Sequence, residues 1–233
     1  MALPNQLDAV FFDIGGPIYS DHNFAQAVLT ALDELRAERG DGPADRPRFD
    51  EIYDAVRNGQ SGSLRSALAR EFLDEGSRAA LHERTREHWT HPAGTAYDDA
   101  RVLLSALHGR TKIGVLANQE AAVVDALERD GLAGFVDVWG ISAIVGHEKP
   151  SPELFEWALR EARTDPAHAV HVGNRLDNDV RPAARLGLGT IWVTRGEAPV
   201  TPTPEQLAEP DLSVADLTGL AEILLPRTGP GHG

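Results

Sequence analysis

The 233-residue chain contains no cysteine, which excludes disulfides, thiolate metal sites and a cysteine nucleophile. Positive charge is scarce. Against 36 Asp and Glu stand 22 Lys and Arg, a formal net charge of −14. That balance argues against a general nucleic-acid or anionic-membrane surface. It leaves room for a local basic site that binds a small anion. No apolar run approaches the roughly 18 residues of a membrane span. The opening "MALPNQLDAVFF" has neither the basic nor the apolar region of a signal peptide. A soluble, cytoplasmic chain is the expectation. Apolar residues make up 42%, enough for an ordinary core, and the length suits one domain or one domain with an insertion.

Short apolar segments at 8–13, 111–119, 136–142, 168–174 and 188–194 read as strands. Amphipathic helices lie between them. Tyr97, Ala100, Leu103, Leu104 and Leu107 recur at helical spacing before Gly109, and Val123, Val124 and Leu127 before Gly131. Ser151-Pro152 reads as an N-cap with proline in the first turn. Alternation of this kind implies a three-layer, doubly wound parallel α/β sheet, Rossmann-like in arrangement. Residues 21–95 break the alternation and are helical in pattern. The expected division is an α/β core of 1–18 and 96–226, a helical cap domain of 19–95, and a disordered tail of 227–233. The proline-rich 197–211 reads as a loop before a last short strand and helix.

In an open parallel sheet, ligands bind beyond the carboxyl ends of the strands. Asp13, Ala117-Asn118 and Gly173-Asn174 all stand at such ends. Lys149 precedes a helix that starts at Ser151, and Asp179 follows Asn174 by five residues. These residues are expected to share one crevice. Gly15 and Gly16 free the turn after Asp13 and offer N–H groups to an anion. Arg175 is the nearest further cation.

Four segments, in order, resemble the haloacid dehalogenase superfamily: "FFDIGGPIY", "GVLANQ", "GHEKPSPELF" and "HVGNRLDNDV". The resemblance implies a hydrolase with Asp13 as nucleophile and Lys149 as its catalytic partner. Substrate contacts are expected at Gly15, Gly16, Ala117 and Asn118, with Arg175 as a further cation beside them. The resemblance places Mg2+ at Asp13, the Gly15 carbonyl, Asn174 and Asp179. The helical block occupies the family's cap position and is expected to close over the crevice. A small anionic molecule is the implied substrate, with neither nucleic acid nor membrane as partner.

Three positions depart from the family's phosphatase pattern. The second aspartate, which acts there as general acid and base, is Gly15. The phosphate-binding hydroxyl is Ala117, and the first aspartate of the fourth motif is Asn174. A carboxylate nucleophile needs no deprotonation at pH 7, so Asp13 keeps its role. What is lost is proton delivery to the leaving oxygen, typically about 100- to 10,000-fold in rate. Tyr19, Asp21, His147 and Glu148 are the nearby replacements. With fewer carboxylates, weaker Mg2+ binding is expected. The implied function is a Mg2+-dependent phosphatase of small phosphorylated metabolites. The alternatives are a metal-independent 2-haloacid dehalogenase-like hydrolase, in which halide leaves unprotonated, and a non-catalytic binding protein on the same fold. His82, His88 and His91 lack metal-ligand spacing and read as a solvated helix face. Trp89 reads as packing.

Overall fold

The computed structural model describes residues 3–225; the expected tail at 227–233 lies outside the described residues. Strand β1 (Ala9–Phe12) is followed by four helices, α1 (Phe24–Glu38), α2 (Arg46–Gly59), α3 (Leu64–Phe72) and α4 (Arg78–His88). Helix α5 (Asp98–Leu107) then leads to β2 (Lys112–Ala117). Next come α6 (Ala122–Arg129), β3 (Val138–Ile141), α7 (Ser142–Val145), α8 (Pro152–Ala162) and β4 (Ala169–Gly173). A π-helical turn (Leu176–Val180) runs into α9 (Arg181–Leu186). The described chain closes with β5 (Gly189–Val193), α10 (Pro204–Ala208), β6 (Leu212–Val214) and α11 (Leu220–Leu224).

The six strands form one parallel sheet in the order β3-β2-β1-β4-β5-β6. Side-chain alternation divides its two faces. Val10 and Phe12 of β1 join Leu103, Leu127 and Leu220 on one side. Ala9 and Phe11 join Leu154, Phe155 and Ala183 on the other. Helices therefore cover both faces, giving three layers. Strand order reverses at β1, because the chain goes first to β2 on one side and later to β4 on the other. That reversal is where an open α/β sheet leaves a crevice at its carboxyl edge.

Helices α1–α4 pack around a hydrophobic cluster of their own, with Val28, Leu32, Phe49, Leu68 and Leu81 buried in it. Local signals set their limits. Asp45 caps α2 by accepting from the Arg48 N–H, and Ser63 caps α3 by accepting from Ser66. Polar bonds from α2 and from Gln60, which follows it, are one place where the insertion meets the core; Arg86 of α4, which pairs with Glu120, is another. Tyr53 Oη donates to Glu197. Arg57 donates to the carbonyls of Ala198 (2.7 Å) and Gly196 (3.0 Å), and Gln60 Nε2 to that of Glu197 (2.9 Å).

Two local expectations change. Part of the proline-rich stretch is helix α10, because Thr203 and Gln206 form a reciprocal capping box. Ser151 occupies the N-cap position of α8, but its hydroxyl meets Glu153 instead of a backbone N–H.

Candidate active site

Asp13 extends β1 by one residue, its N–H donating to the Val172 carbonyl of β4 (2.9 Å). Its side chain thus emerges at the carboxyl edge of the central strand. Oδ1 accepts from the Ile14 N–H (2.8 Å) and faces Lys149 Nζ at 2.9 Å. No hydrogen bond among the described residues uses Oδ2, and Asp13 lines a cavity of about 450 Å³.

Lys149 reaches this point from the loop before α8. Its ammonium also donates to Asp179 Oδ1 at 2.6 Å, and its side chain is only 3% exposed. The Lys149 backbone is clasped by Asn118 at the end of β2. The amide of Asn118 donates to the Lys149 carbonyl and accepts from its N–H, each at 2.7 Å.

Asp179 is fully buried. Besides Lys149, its Oδ1 accepts from His171 Nε2 (3.1 Å), and its Oδ2 accepts from the Arg175 N–H (2.9 Å). Oδ1 thus accepts two bonds and Oδ2 one. The bond from Nε2 places the ring proton there and leaves His171 Nδ1 buried without a partner. Gly173 lets Asp179 fold back this closely, since a Cβ at 173 would lie 2.3 Å from the Asp179 Cβ.

The electrostatics follow from burial and proximity. Burial pushes the Asp13 carboxyl up to about 6, against the pull of Lys149 and with added repulsion from Asp179. At neutral pH it is still largely ionised. Burial also works against a charged Asp179, but Lys149 and His171 outweigh it and hold this carboxyl far below the usual range. Burial opposes the Lys149 charge as well, yet the two carboxylates raise its pKa. His171 is kept neutral by burial. The cluster of two carboxylates and one ammonium carries one net negative charge.

Gly15 and Gly16 play different parts. Gly16 adopts φ +89°, and a Cβ there would fall 2.1 Å from Asn174 Nδ2. Its N–H donates to the Tyr19 carbonyl at 2.8 Å, so it is spent inside the turn. Gly15 lines the cavity and has room for a side chain: a Cβ would stand 3.6 Å from Asp21 Cβ, 3.9 Å from Asp21 Oδ2 and 3.8 Å from Trp89. The Asp21 carboxyl borders the space that a longer residue at 15 would fill. Asp21 is 6% exposed, accepts from Asn174 Nδ2 at 3.1 Å, and is pushed up to about 6 by burial and then by Glu197.

The structure brings Asp13, Gly15, Asn118, Lys149, Asn174, Arg175 and Asp179 to one cavity. Gly16 and Ala117 are buried outside its lining. Of the replacement acids, Asp21 and Glu148 line the cavity. Tyr19 does not, since its hydroxyl is committed to Asp130 (2.8 Å) and the Ala126 carbonyl (3.0 Å) on the far side. Arg175, with a side chain 13% exposed, pairs with Asp177 at 2.8 Å. The histidines are not a solvated face: His88 pairs with Glu34 at 3.0 Å, His82 lines the cavity, and His91 is buried against Gln119. Sequence reasoning passed over His171, Arg65, Arg78 and Glu197. For His171 the signal was a histidine within a buried strand; for the others no local pattern marks them.

Residues 7–187 match the sequence model of the haloacid dehalogenase-like hydrolases. The chain belongs to this hydrolase family. It is 34% identical over 124 residues to the pyrimidine 5'-nucleotidase YjjG of Escherichia coli (strain K12), covering 52% of this chain and 53% of that protein. It is 33% identical over 169 residues to a phosphoserine phosphatase of Thermus thermophilus, covering 67% and 64%. The chain thus matches between half and two-thirds of the length of these relatives. Two solved structures share the haloacid dehalogenase-like fold at 22% identity, each covering 94% of this chain and 98% of the other. A phosphatase from Thermococcus onnurineus gives a TM-score of 0.62, and a 2-haloacid dehalogenase from Pseudomonas syringae gives 0.60. The fold alone therefore hosts both chemistries. No helix among the described residues is long and apolar enough to cross a membrane.

Proposed function

We propose that the protein is a cytoplasmic phosphatase of small phosphorylated metabolites, with Asp13 as its nucleophile. The observation that carries this reading is the Lys149 ammonium, 2.9 Å from Asp13 at the cavity floor. A free Asp13 oxygen attacks phosphorus, the bond to the leaving oxygen breaks, and water then hydrolyses the aspartyl phosphate. Lys149 orients the nucleophile and offsets charge on the transferring group. Asn118 and Asp179 position Lys149. With Gly15 unable to deliver a proton, Asp21 is the carboxyl placed nearest that gap. Residues 19–95 act as a cap that excludes water from the cavity, over a core of 1–18 and 96–226.

Phosphatases of this family generally depend on Mg2+. The donors left unoccupied fit such an ion if it keeps most of its waters: Asp13 Oδ2, the Gly15 carbonyl and the Asn174 amide oxygen. Asp179 is the less available donor: its Oδ1 already accepts from Lys149 and His171, and only Oδ2, which accepts a single N–H, has capacity left. When bound, Mg2+ would offset the net negative charge beside the phosphate. Gly15 also suits the second reading, a carbon–halogen hydrolase, because departing halide needs no proton.

The test is phosphate and halide release by the wild type and Asp13→Asn, with and without Mg2+. Phosphate release that vanishes in Asp13→Asn supports the first reading. Halide release unaffected by a chelator supports the second and overturns the first.

A further inference from the structure

The insertion carries a cation that the rest of the protein does not neutralise. Arg65, in the first turn of α3, has its Nε buried with no hydrogen-bond partner and belongs to no ion pair among the described residues. Its neighbours in the insertion are different. Arg48 meets Glu71 at 2.8 Å, Arg84 meets Glu38 at 2.8 Å, and Arg86 meets Glu83 at 2.9 Å. Arg65 instead lies over the Phe24 ring, 5.3 Å from its centre. Phe24 packs edge-on against Trp89 at 5.0 Å, and Trp89 borders Gly15. The guanidinium is thus fixed by an aromatic ladder that ends beside the cavity floor.

The surroundings add no counter-ion in contact. Burial, then the like charge of Arg78, draws the Arg65 pKa down to about 10, with Glu197 and Glu148 opposing it weakly. The group remains charged at neutral pH. Arg78 and His82 line the same cavity as Asp13, and Arg65 and His82 also face an adjoining cavity of about 450 Å³. Arg65 is partly buried, and partial withdrawal of a guanidinium from water without an acidic partner costs stability. An anion entering the cavity would supply that partner, and the planar fork of arginine matches an oxyanion.

We propose that Arg65, supported by Arg78, is a subsite for a second anionic group of the substrate, so that the substrate class is a small phosphate ester carrying a carboxylate or a further phosphate. The inference rests on the phosphatase reading of Asp13. The first cavity, at about 450 Å³, lies within the size range of small-molecule sites. That suits a compact metabolite with its phosphate at Asp13 and its second charge under the insertion.

The experiment compares initial rates on glycerol 3-phosphate, 3-phosphoglycerate and glucose 1,6-bisphosphate, which differ in the charge of the tail. The wild type is expected to favour a charged-tail ester over glycerol 3-phosphate by about ten- to a hundredfold in kcat/KM. Preference for one charged tail over the other identifies the anion. Arg65→Gln should bring the ratio near one, mainly through KM, and Arg65→Lys should retain part of it. A wild type indifferent to the tail, or a preference surviving in Arg65→Gln, overturns the proposal.

Thermal melting with tartrate, which has carboxylates and no phosphate, separates the two readings. A tartrate shift present in the wild type and absent in Arg65→Gln upholds the subsite even if no ester is turned over. Turnover without tail preference or tartrate shift rejects the subsite and leaves the phosphatase reading intact.

Discussion

Asn118 holds the backbone of Lys149 from both sides, donating to its carbonyl and accepting from its N–H at 2.7 Å each. The clasp holds the residue whose ammonium bridges Asp13 and Asp179. Asn118→Ala should free the Lys149 loop and lower turnover by about ten- to a hundredfold, the equivalent of ~1–3 kcal/mol for lost bonds to buried groups. Asn118→Asp, which keeps only the acceptor, should fall between. Steady-state kinetics beside urea denaturation checks this; wild-type turnover in Asn118→Ala would show that the clasp is dispensable.

Gly15 and Gly16 are adjacent and not interchangeable. Gly15→Ala should shift stability by less than about 1 kcal/mol, because its Cβ meets only ordinary contacts. Gly16→Ala should cost about 3 kcal/mol or more, since it combines φ +89° with a clash on Asn174. On the phosphatase reading, Gly15→Asp places a carboxyl where the leaving oxygen would need a proton. Its gain should approach the ~100-fold of general acid catalysis on alkyl phosphates and be far smaller on p-nitrophenyl phosphate. Equal gains on both substrates would refute a proton-delivery role for position 15.

His91 makes stability depend on pH. Its ring packs at a tilt against Tyr19 at 4.8 Å and Trp89 at 5.7 Å, with Nε2 on Gln119 and Nδ1 unpartnered. Burial, the largest influence, holds its pKa below the usual imidazole value; Gln119 and Asp130 oppose this, and Arg129 reinforces it. The unfolded chain takes up this proton near pH ~6.5, and the folded chain only at lower pH. The stability is therefore present above that pH and lost as pH falls from there toward the folded value. Denaturation midpoints should drop between pH 7 and 5.5, and His91→Gln should flatten part of the drop. An equally steep profile in the variant would absolve His91.

The sequence made the sheet legible because each strand is a short apolar run with glycine or polar residues at its ends. Asp13 and Asn118 were legible for a related reason: each sits just beyond a strand tip, and parallel topology sends such tips to one edge; Lys149 and Asp179 were legible from their place before and within the helical segments that follow β3 and β4. What each does there was less visible. Asp179 was expected at a metal; the folded chain adds that its Oδ1 is shared by Lys149 and His171, which no sequence pattern showed. Arg65 was invisible because helical periodicity does not say which polar face of the insertion turns toward the sheet. The helix at 204–208 was hidden by proline content, although Thr203-Pro204-Glu205-Gln206 spells out its own capping box.

The seam between α2 and the 196–198 loop is stitched by bonds to three successive peptide units and one carboxylate, while the apolar cluster of the insertion stays on its own side. Parting that seam would uncover little greasy surface, so breathing there carries almost no heat-capacity signature. If the insertion closes over a bound molecule as proposed, that molecule's dwell time would depend on a few polar rivets, which water and salt can loosen without disturbing either hydrophobic interior.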